Sequence, residues 1–469
     1  VLRIFKLSFF EFKNDQLYLI QNGVDTRKAN FLVTKGIASG VGINNPPLFS
    51  YFMGILTFFA QDPFWLSSFF SFISTLGLLL AFFYFYRNLP LDYCLISCSI
   101  LSFSSAFTNY TANIWPQCLL PPLVIIYHWS LCRFIENKSS KLFLLFTISA
   151  ALISQLHMSG FFLMPAVLIV ALIYRAYLGI GNLLKSAFAL LLILSPYLYH
   201  IFFENELAKF ISFADTGGRS VYWKVFREHM RMASFDYWRY YFRYDFNSVL
   251  DSSVGIFKFI LYPLSCLIMA FFAFGLIYYL AWLVKGHKIF DESAKSKEKY
   301  PLPFQIAGFL LLVPTFCFLL FHIHTPMHYL IIFFPCYSIL SGFLCWRLWK
   351  ILWLRVIITC SVLATLVLLA ALLIFIKNAG GHPHEYGPHY GQLLAWQKEV
   401  WSQVPKGFCP ALTFKFNFEK GFDKFDQETI NYVIMKGHSC MKNSPEIPLL
   451  LDVFWDKKLM RYTYSVRKI

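Results

Sequence analysis

Residues 141–175 read KLFLLFTISAALISQLHMSGFFLMPAVLIVALIYR. No Asp, Glu, Lys or Arg interrupts the stretch between Lys141 and Arg175. A helix needs about 20 apolar residues to cross the hydrocarbon of a bilayer. The stretch is long for one crossing, and QLHMSG breaks it near its middle. Two crossings return the chain to the face it left, so Lys141 and Arg175 share a side. One kinked crossing would put them on opposite sides.

The rest of the chain decides between these readings. Basic residues recur at Arg87, at Arg133, Lys138 and Lys141, at Arg175 and Lys185, at Lys285 to Lys299, and at Arg347, Lys350 and Arg355. The intervening connectors FTNYTAN (107–113), HMS (157–159) and HTPMH (324–328) hold no Lys or Arg. Lys and Arg collect in short cytoplasmic loops. Only two crossings keep Arg175 with the other bases, so 142–156 and 160–174 are read as separate spans.

Working outward, further apolar runs lie at 64–86, 93–107, 114–135, 186–203, 256–284, 305–323, 329–349 and 353–376. This predicts an all-α polytopic membrane protein with about ten visible spans. Composition agrees: 58% of residues are hydrophobic and 14% charged, against about 25% charged in a soluble domain. The run 47–60, between Asn-Asn-Pro-Pro and Gln-Asp-Pro, is too short to cross and reads as a half-inserted or juxtamembrane helix. The net charge of +16 falls mainly in loops. It fits the positive-inside pattern and contact with anionic membrane lipids rather than nucleic acid.

The same charge rule places residues 1–63, the connector 204–255 and the tail 379–469 outside the cytoplasm. The expected organisation is a first outer loop with juxtamembrane helices (1–63), a multi-span domain (64–378) and an outer C-terminal domain (379–469). The tail carries short alternating stretches such as ALTFKFNFEKGF, so it reads as a small α+β domain. Nine of the eleven cysteines lie in or beside spans and read as packing residues. Cys409 and Cys440 lie in the tail, where an oxidising compartment permits a bridge between them.

Few residue groups could carry chemistry. NDQLYLIQNG follows Glu11 and reads as an amphipathic surface helix capped by Asn14. Asp15 suits its first turn electrostatically, but a carboxylate partly desolvated at a membrane face also suits a general base. In the connector 204–255, Arg227 and Arg231 are four residues apart, as are Arg239 and Arg243. Each pair stacks on one helical face among Trp and Tyr side chains. They read either as lipid-headgroup anchors or, with Arg219, as a guanidinium clamp for phosphate. Asn45 in the first outer loop, and His157 and His328 at outer span ends, are substrate-contact candidates. The clusters His382, His384, His389 and His322, His324, His328 lack an acid or cysteine at ligand spacing. No metal site or cofactor is therefore indicated, although a divalent metal stays open. The spans hold almost no Asp, Glu, Lys or Arg away from their ends, which disfavours an ion-coupled transporter.

Taken together, NDQLYLIQNG, NNPPLFSYFMG, FTNYTANIWPQCLLPP, LISQLHMSGFFLMP and MHYLIIFFPCYSIL resemble segments of the GT-C glycosyltransferases. The likeness is to the glycosyltransferase family 39 and Rgt-like branch, which includes protein O-mannosyltransferases and lipid A aminoarabinose transferases. The resemblance covers most of residues 1–390. It implies an inverting transfer of sugar from a polyprenyl-phosphate donor to an envelope acceptor in a bacterial inner membrane. By the same resemblance Asp15 is the catalytic base and Glu11 a possible helper. The common Asp-Glu pair is Asp15-Gln16 here, and the turn 107–113 offers Asn109 and Asn113 but no acid. Family members carry a span before the acidic loop, and VLRIFKL is expected to be the outer end of such a span in a longer chain. Two rival readings remain: a lipid or oligosaccharide transporter, and a non-catalytic relative that binds lipid-linked sugar.

Overall fold

The computed structural model describes residues 10, 14–29, 32–37, 43–110, 113–204, 221–285, 289–290, 300–321, 327–382, 387–402, 409–417, 429–431, 446–456 and 461–468. A juxtamembrane pair opens the chain: α1 (Asn14–Lys28) and α2 (Leu48–Phe59). The membrane helices follow: α3 (Pro63–Asn88), α4 (Leu91–Ser102), the single turn α5 (Ser105–Tyr110), α6 (Leu120–Asn137), α7 (Ser140–Leu156), α8 (Met164–Ile173) and α9 (Arg175–Phe203). After them come α10 (Val221–Met232), α11 (Tyr237–Phe242), α12 (Phe246–Val254), α13 (Lys258–Val284), α14 (Leu302–Leu320), α15 (Phe334–Leu348) and α16 (Leu352–Ala379).

Among the described residues, seven helical segments are long and apolar enough to cross a membrane: 63–88, 116–137, 175–203, 246–284, 302–320, 327–348 and 352–379. The chain is thus a multi-pass helical membrane protein. Shorter apolar helices occupy 48–59, 91–102, 140–156 and 158–173. Over their described residues the ten expected runs are mainly helical, but three stop short of the span length. Near 93–107 the helix breaks at Phe103 and Ser104, and the Ser104 hydroxyl accepts from Phe107 N at 3.3 Å. At 186–203 the helix instead begins eleven residues earlier, kinked at Gly179 with φ +66°.

The split within 141–175 has a local cause. His157 leaves helical geometry at φ −154°, ψ 138°, and its side chain accepts from Ser159 N, starting the 3-10 turn Met158–Leu163. Gly160 permits the reversal: a Cβ there would lie within 2.6 Å of the Ile153 carbonyl carbon.

The helix α1 outruns its sequence signal. It starts at Asn14, so Asn14 lies within the first turn, and it passes through Asn22-Gly23 to Lys28. Gly23 does not stop it, because the missing side chain lets Met53 of α2 approach; a Cβ on Gly23 would meet the Met53 Cβ at 2.7 Å. Arg27 also donates to the Thr57 carbonyl at 3.0 Å. At 12 residues, α2 is about 18 Å long, too short to span.

Two ends of the bundle are chemically distinct. At one, Lys138 sits 4.3 Å from the Tyr174 ring centroid, and Phe290 stacks on Tyr174 at 6.4 Å. Arg347 lies 4.8 Å from the Trp346 ring, which stacks on Tyr93 at 5.4 Å. Basic connectors thus gather with aromatic partners at one end. The Lys- and Arg-free connectors meet at the other, described below.

Beyond α16 the tail is α+β. A two-stranded ribbon pairs β1 (Gly381–His382) with β2 (Gly387–Pro388), followed by α17 (Tyr390–Ser402). Then β3 (Cys409–Asn417), β4 (Thr429–Asn431), β5 (Glu446–Asp456) and β6 (Arg461–Lys468) form a sheet ordered β4-β3-β5-β6, with β3 and β5 parallel. Cys440 lies outside the described residues. The tail is fastened to the start of the chain: Tyr390 N donates to the Phe10 carbonyl at 3.0 Å, and the two rings stack at 5.2 Å.

His389 serves this junction rather than a metal. Its Nδ1 accepts from Gln392 N at 2.9 Å, so Nε2 carries the proton and meets the Lys377 carbonyl at 3.1 Å. Burial pushes its pKa down to about 4, against about 6.5 in an unfolded chain. The neutral ring's contribution is therefore full above about pH 6.5 and is lost as pH falls toward about 4. Thermal melting of wild type should drop across that window more steeply than that of His389→Leu. Parallel pH profiles would contradict this assignment.

Candidate functional site at the uncharged end

Three short connectors without Lys or Arg converge here with the long, arginine-bearing connector 204–255. The His157 ring meets His328 at 5.8 Å and Tyr329 at 4.9 Å, both edge to face. The other side of His328 faces Trp115 edge-on at 6.0 Å. Trp115 adjoins Tyr110 at 6.4 Å, and Tyr110 meets Tyr237 of α11 at 5.8 Å. Asn109 donates through Nδ2 to the Tyr237 hydroxyl at 3.1 Å. Two residues singled out as substrate contacts, His157 and His328, are thus neighbours despite their separation in sequence.

Local hydrogen bonds fix these rings. Ser159 N donates to His157 Nδ1 at 3.2 Å, and the Ser159 hydroxyl lies 2.8 Å from it. The proton therefore sits on Nε2. Burial first, and His328 second, push the His157 pKa well below its ordinary value, so the ring is neutral. The Cys118 thiol ties the turn together by donating to the Tyr110 carbonyl and, at 2.7 Å, to the Asn113 carbonyl. The cluster is largely buried, with Tyr110, Asn109, Tyr237, Tyr329 and His157 inside it and Trp115 and His328 half-buried at its edge.

The first loop reaches the same end. Asn44 gives its carbonyl to the Tyr197 hydroxyl at 2.7 Å, and Tyr197 packs on Phe161 at 5.7 Å, within the turn that follows His157. Asn45 closes the loop: its N–H donates to the Ile37 carbonyl at 2.8 Å and its carbonyl accepts from Gly36 N at 2.6 Å. Its side chain is half-buried and donates to the Ile37 carbonyl at 3.3 Å, so it holds the Pro46-Pro47 turn.

At the end of α9, Glu204 accepts from the Thr34 hydroxyl at 2.7 Å, pairs with Lys35 at 3.5 Å and sits 2.8 Å from His200 Nδ1. The Thr34 hydrogen bond chiefly, with help from His200 and Lys35, lowers the Glu204 pKa. The sequence reading missed this junction. A His-x-x-x-Glu spacing at a helix end is its only local signal.

The acid candidates are placed in part. Asp15 lies in the first turn of α1, and its side chain lies outside what is described. Glu11 and Arg219 fall outside the described residues altogether.

The remaining arginines are more committed than a free clamp would be. Arg227 donates to Glu228 Oε1 through Nε at 3.1 Å and Nη2 at 2.9 Å, and Arg231 Nη1 reaches the same oxygen at 3.3 Å. Arg231 Nε donates to Asp236 Oδ2 at 3.2 Å. Arg239 donates to Asp236 Oδ1 at 2.9 Å and to the Tyr262 hydroxyl at 2.7 Å. Arg243 is exposed and holds a left-handed φ of +45° at the end of α11. Two acids thus knit together three of the candidate cations. The i,i+3 spacings Glu228–Arg231 and Asp236–Arg239 were the overlooked signal.

The helix α10 is anchored beside this network. His229 is buried, with Nδ1 2.8 Å from the Tyr337 hydroxyl of α15 and Nε2 2.9 Å from the Thr315 hydroxyl of α14. Burial pushes its pKa down to about 3, so it docks as a neutral ring.

The fold and this end of the bundle define a multi-pass helical membrane protein with a polar, aromatic-lined junction at one face. No protein-family profile and no curated protein sequence matches the chain. Among solved structures it is similar to ArnT from Cupriavidus metallidurans bound to undecaprenyl phosphate. The identity is 10% and the TM-score 0.47, over 80% of this chain and 74% of that one. Among the described residues, no three His, Cys, Asp or Glu side chains group as metal ligands.

Proposed function

We propose that the protein is a glycosyltransferase of a bacterial inner membrane that moves a sugar from a polyprenyl-phosphate donor to an envelope acceptor, with inversion. Asp15 takes the proton from the acceptor hydroxyl. The acceptor oxygen bonds to the anomeric carbon as the carbon–oxygen bond to phosphate breaks. Polyprenyl phosphate leaves with the electron pair, and cations such as Arg227 stabilise it. The observation that supports this reading best is the meeting of His157, His328, Trp115 and the Asn44 loop at the end where the short Lys- and Arg-free connectors lie. The sequence resemblance to GT-C enzymes supplies the reaction class.

The test is a product assay. Purified protein is added to membrane vesicles from a strain lacking it. Transfer consumes one lipid-linked sugar and yields polyprenyl phosphate and a glycosylated envelope component in equal amounts. A transporter would move the lipid-linked sugar intact and release no polyprenyl phosphate, which would refute the proposal. The same reading puts residues 1–63, the connector 204–255 and the tail 379–469 outside the cytoplasm. Alkaline phosphatase fused after Ile469 should therefore be active, and an inactive fusion at normal expression would reverse the orientation.

A further inference from the structure

The carboxylate of Glu228 is more than a brace for the arginines. Its side chain is only 9% exposed, yet it sits on the amphipathic helix α10 beside Arg227, whose side chain is 54% exposed. The two oxygens are used unequally. Oε1 takes every guanidinium hydrogen bond, from Arg227 and Arg231. Oε2 is buried and has no hydrogen-bond partner among the described residues. A buried acceptor without a donor is costly, more so on a charged group. The neighbouring guanidinium groups compensate the charge of Glu228 but leave this lone-pair face unmet.

Its surroundings are held firmly. The next residue, His229, pins α10 to Tyr337 and Thr315 and packs on Phe333 at 5.3 Å. Phe333 ends the 3-10 segment Met327–Phe333 that carries His328. Glu228 therefore stands on an element packed directly against the segment that carries one wall of the aromatic site. Arg227, exposed beside it, offers a guanidinium edge to an anion. An acceptor and a cation within one residue fit a headgroup that carries a phosphate next to a hydrogen-bond donor.

Resting on the proposed function, we infer that Glu228 is a sugar-recognition residue: Oε2 accepts a hydroxyl or amine hydrogen from the donor's sugar while Arg227 meets the adjoining phosphate. Bare polyprenyl phosphate satisfies only the second contact. The sugar contact is what raises affinity for the loaded donor over the spent carrier, and it favours release of the product lipid.

The test compares two kinds of lipid on the purified full chain in detergent, by native mass spectrometry. The probes are undecaprenyl phosphate and a panel of undecaprenyl-phosphate-linked hexoses and pentoses. Wild type should bind at least one glycosylated probe about ten- to a hundredfold more tightly than bare undecaprenyl phosphate, as expected for one hydrogen bond to a charged group. Glu228→Gln should erase that ratio; because it also releases Arg227 from its carboxylate, it should not weaken binding of the bare lipid. Glu228→Asp keeps the charge toward the arginines but withdraws the oxygen, so it should also lower the ratio if Glu228→Gln fails to fold. Arg227→Ala should weaken both kinds of probe together. An unchanged ratio in folded Glu228→Gln or Glu228→Asp overturns the assignment, as does a wild type that never prefers a glycosylated probe. Binding of neither lipid class by wild type would instead refute the proposed function.

Discussion

Replacing Asp15 by Asn is expected to reduce sugar transfer by about 10²- to 10⁴-fold, the range a general base contributes. Asn separates the two roles that the sequence allows Asp15. Asp15 lies inside the first turn of its helix rather than at the cap, and a first-turn charge is worth only about 0.3–1 kcal/mol to a surface helix. The helix Asn14–Lys28 is also held by its packing of Gly23 on Met53 and by Arg27 on Thr57. The variant should therefore accumulate and melt like wild type, and it should bind donor lipid unchanged. Only transfer should fail. Full transfer by the variant would leave Asp15 as a helix-start residue and place the general base elsewhere.

The second large effect is expected at Gly160. Any side chain here meets backbone, not a flexible group: an added Cβ would collide with Ser154 N and lie 2.5 Å from Ser154 Cα. Overpacking of this kind costs about 1–3 kcal/mol. The strain falls on the turn that holds His157 against His328, so Gly160→Ala should lower both the melting temperature and the rate of transfer. Gly181 is the control, since a Cβ there has nothing within 4 Å. In its helix, Gly181→Ala should be neutral or stabilising by about 0.5–1 kcal/mol. Equal melting temperatures for the two variants would show that the 157–160 turn yields freely.

How much of this was legible in the sequence follows from the range of each force. Membrane helices declare themselves because hydrocarbon demands long apolar runs and internally bonded backbone. Hence every predicted run is mainly helical over its described residues, and His157 marks the break in 141–175. Helix ends were read less well. Gly23 and Gly179 look alike in sequence, but one continues a helix by close packing and the other kinks it at positive φ. The grouping of basic and uncharged connectors was visible because charge placement acts on whole loops.

Side-chain partners were not visible. His157 and His328 could be named as candidates singly, but their contact depends on how four connectors pack. Arg227, Arg231 and Arg239 read in sequence either as headgroup anchors or as a phosphate clamp, because spacing shows only which residues share a face. It does not show that Glu228 and Asp236 would take up their hydrogen bonds. His389 looked like part of a histidine cluster, and only the fold shows it capping a helix and bonding the Lys377 carbonyl.

The central claim is that this chain transfers a lipid-borne sugar through Asp15. Comparative mass spectrometry of cell-envelope glycans tests it without a prior guess at sugar or acceptor. The strains are a deletion, the deletion carrying wild type, and the deletion carrying Asp15→Asn at equal protein level. One sugar should vanish on deletion, return with wild type and stay absent with Asp15→Asn. Return of that sugar with Asp15→Asn would contradict the account.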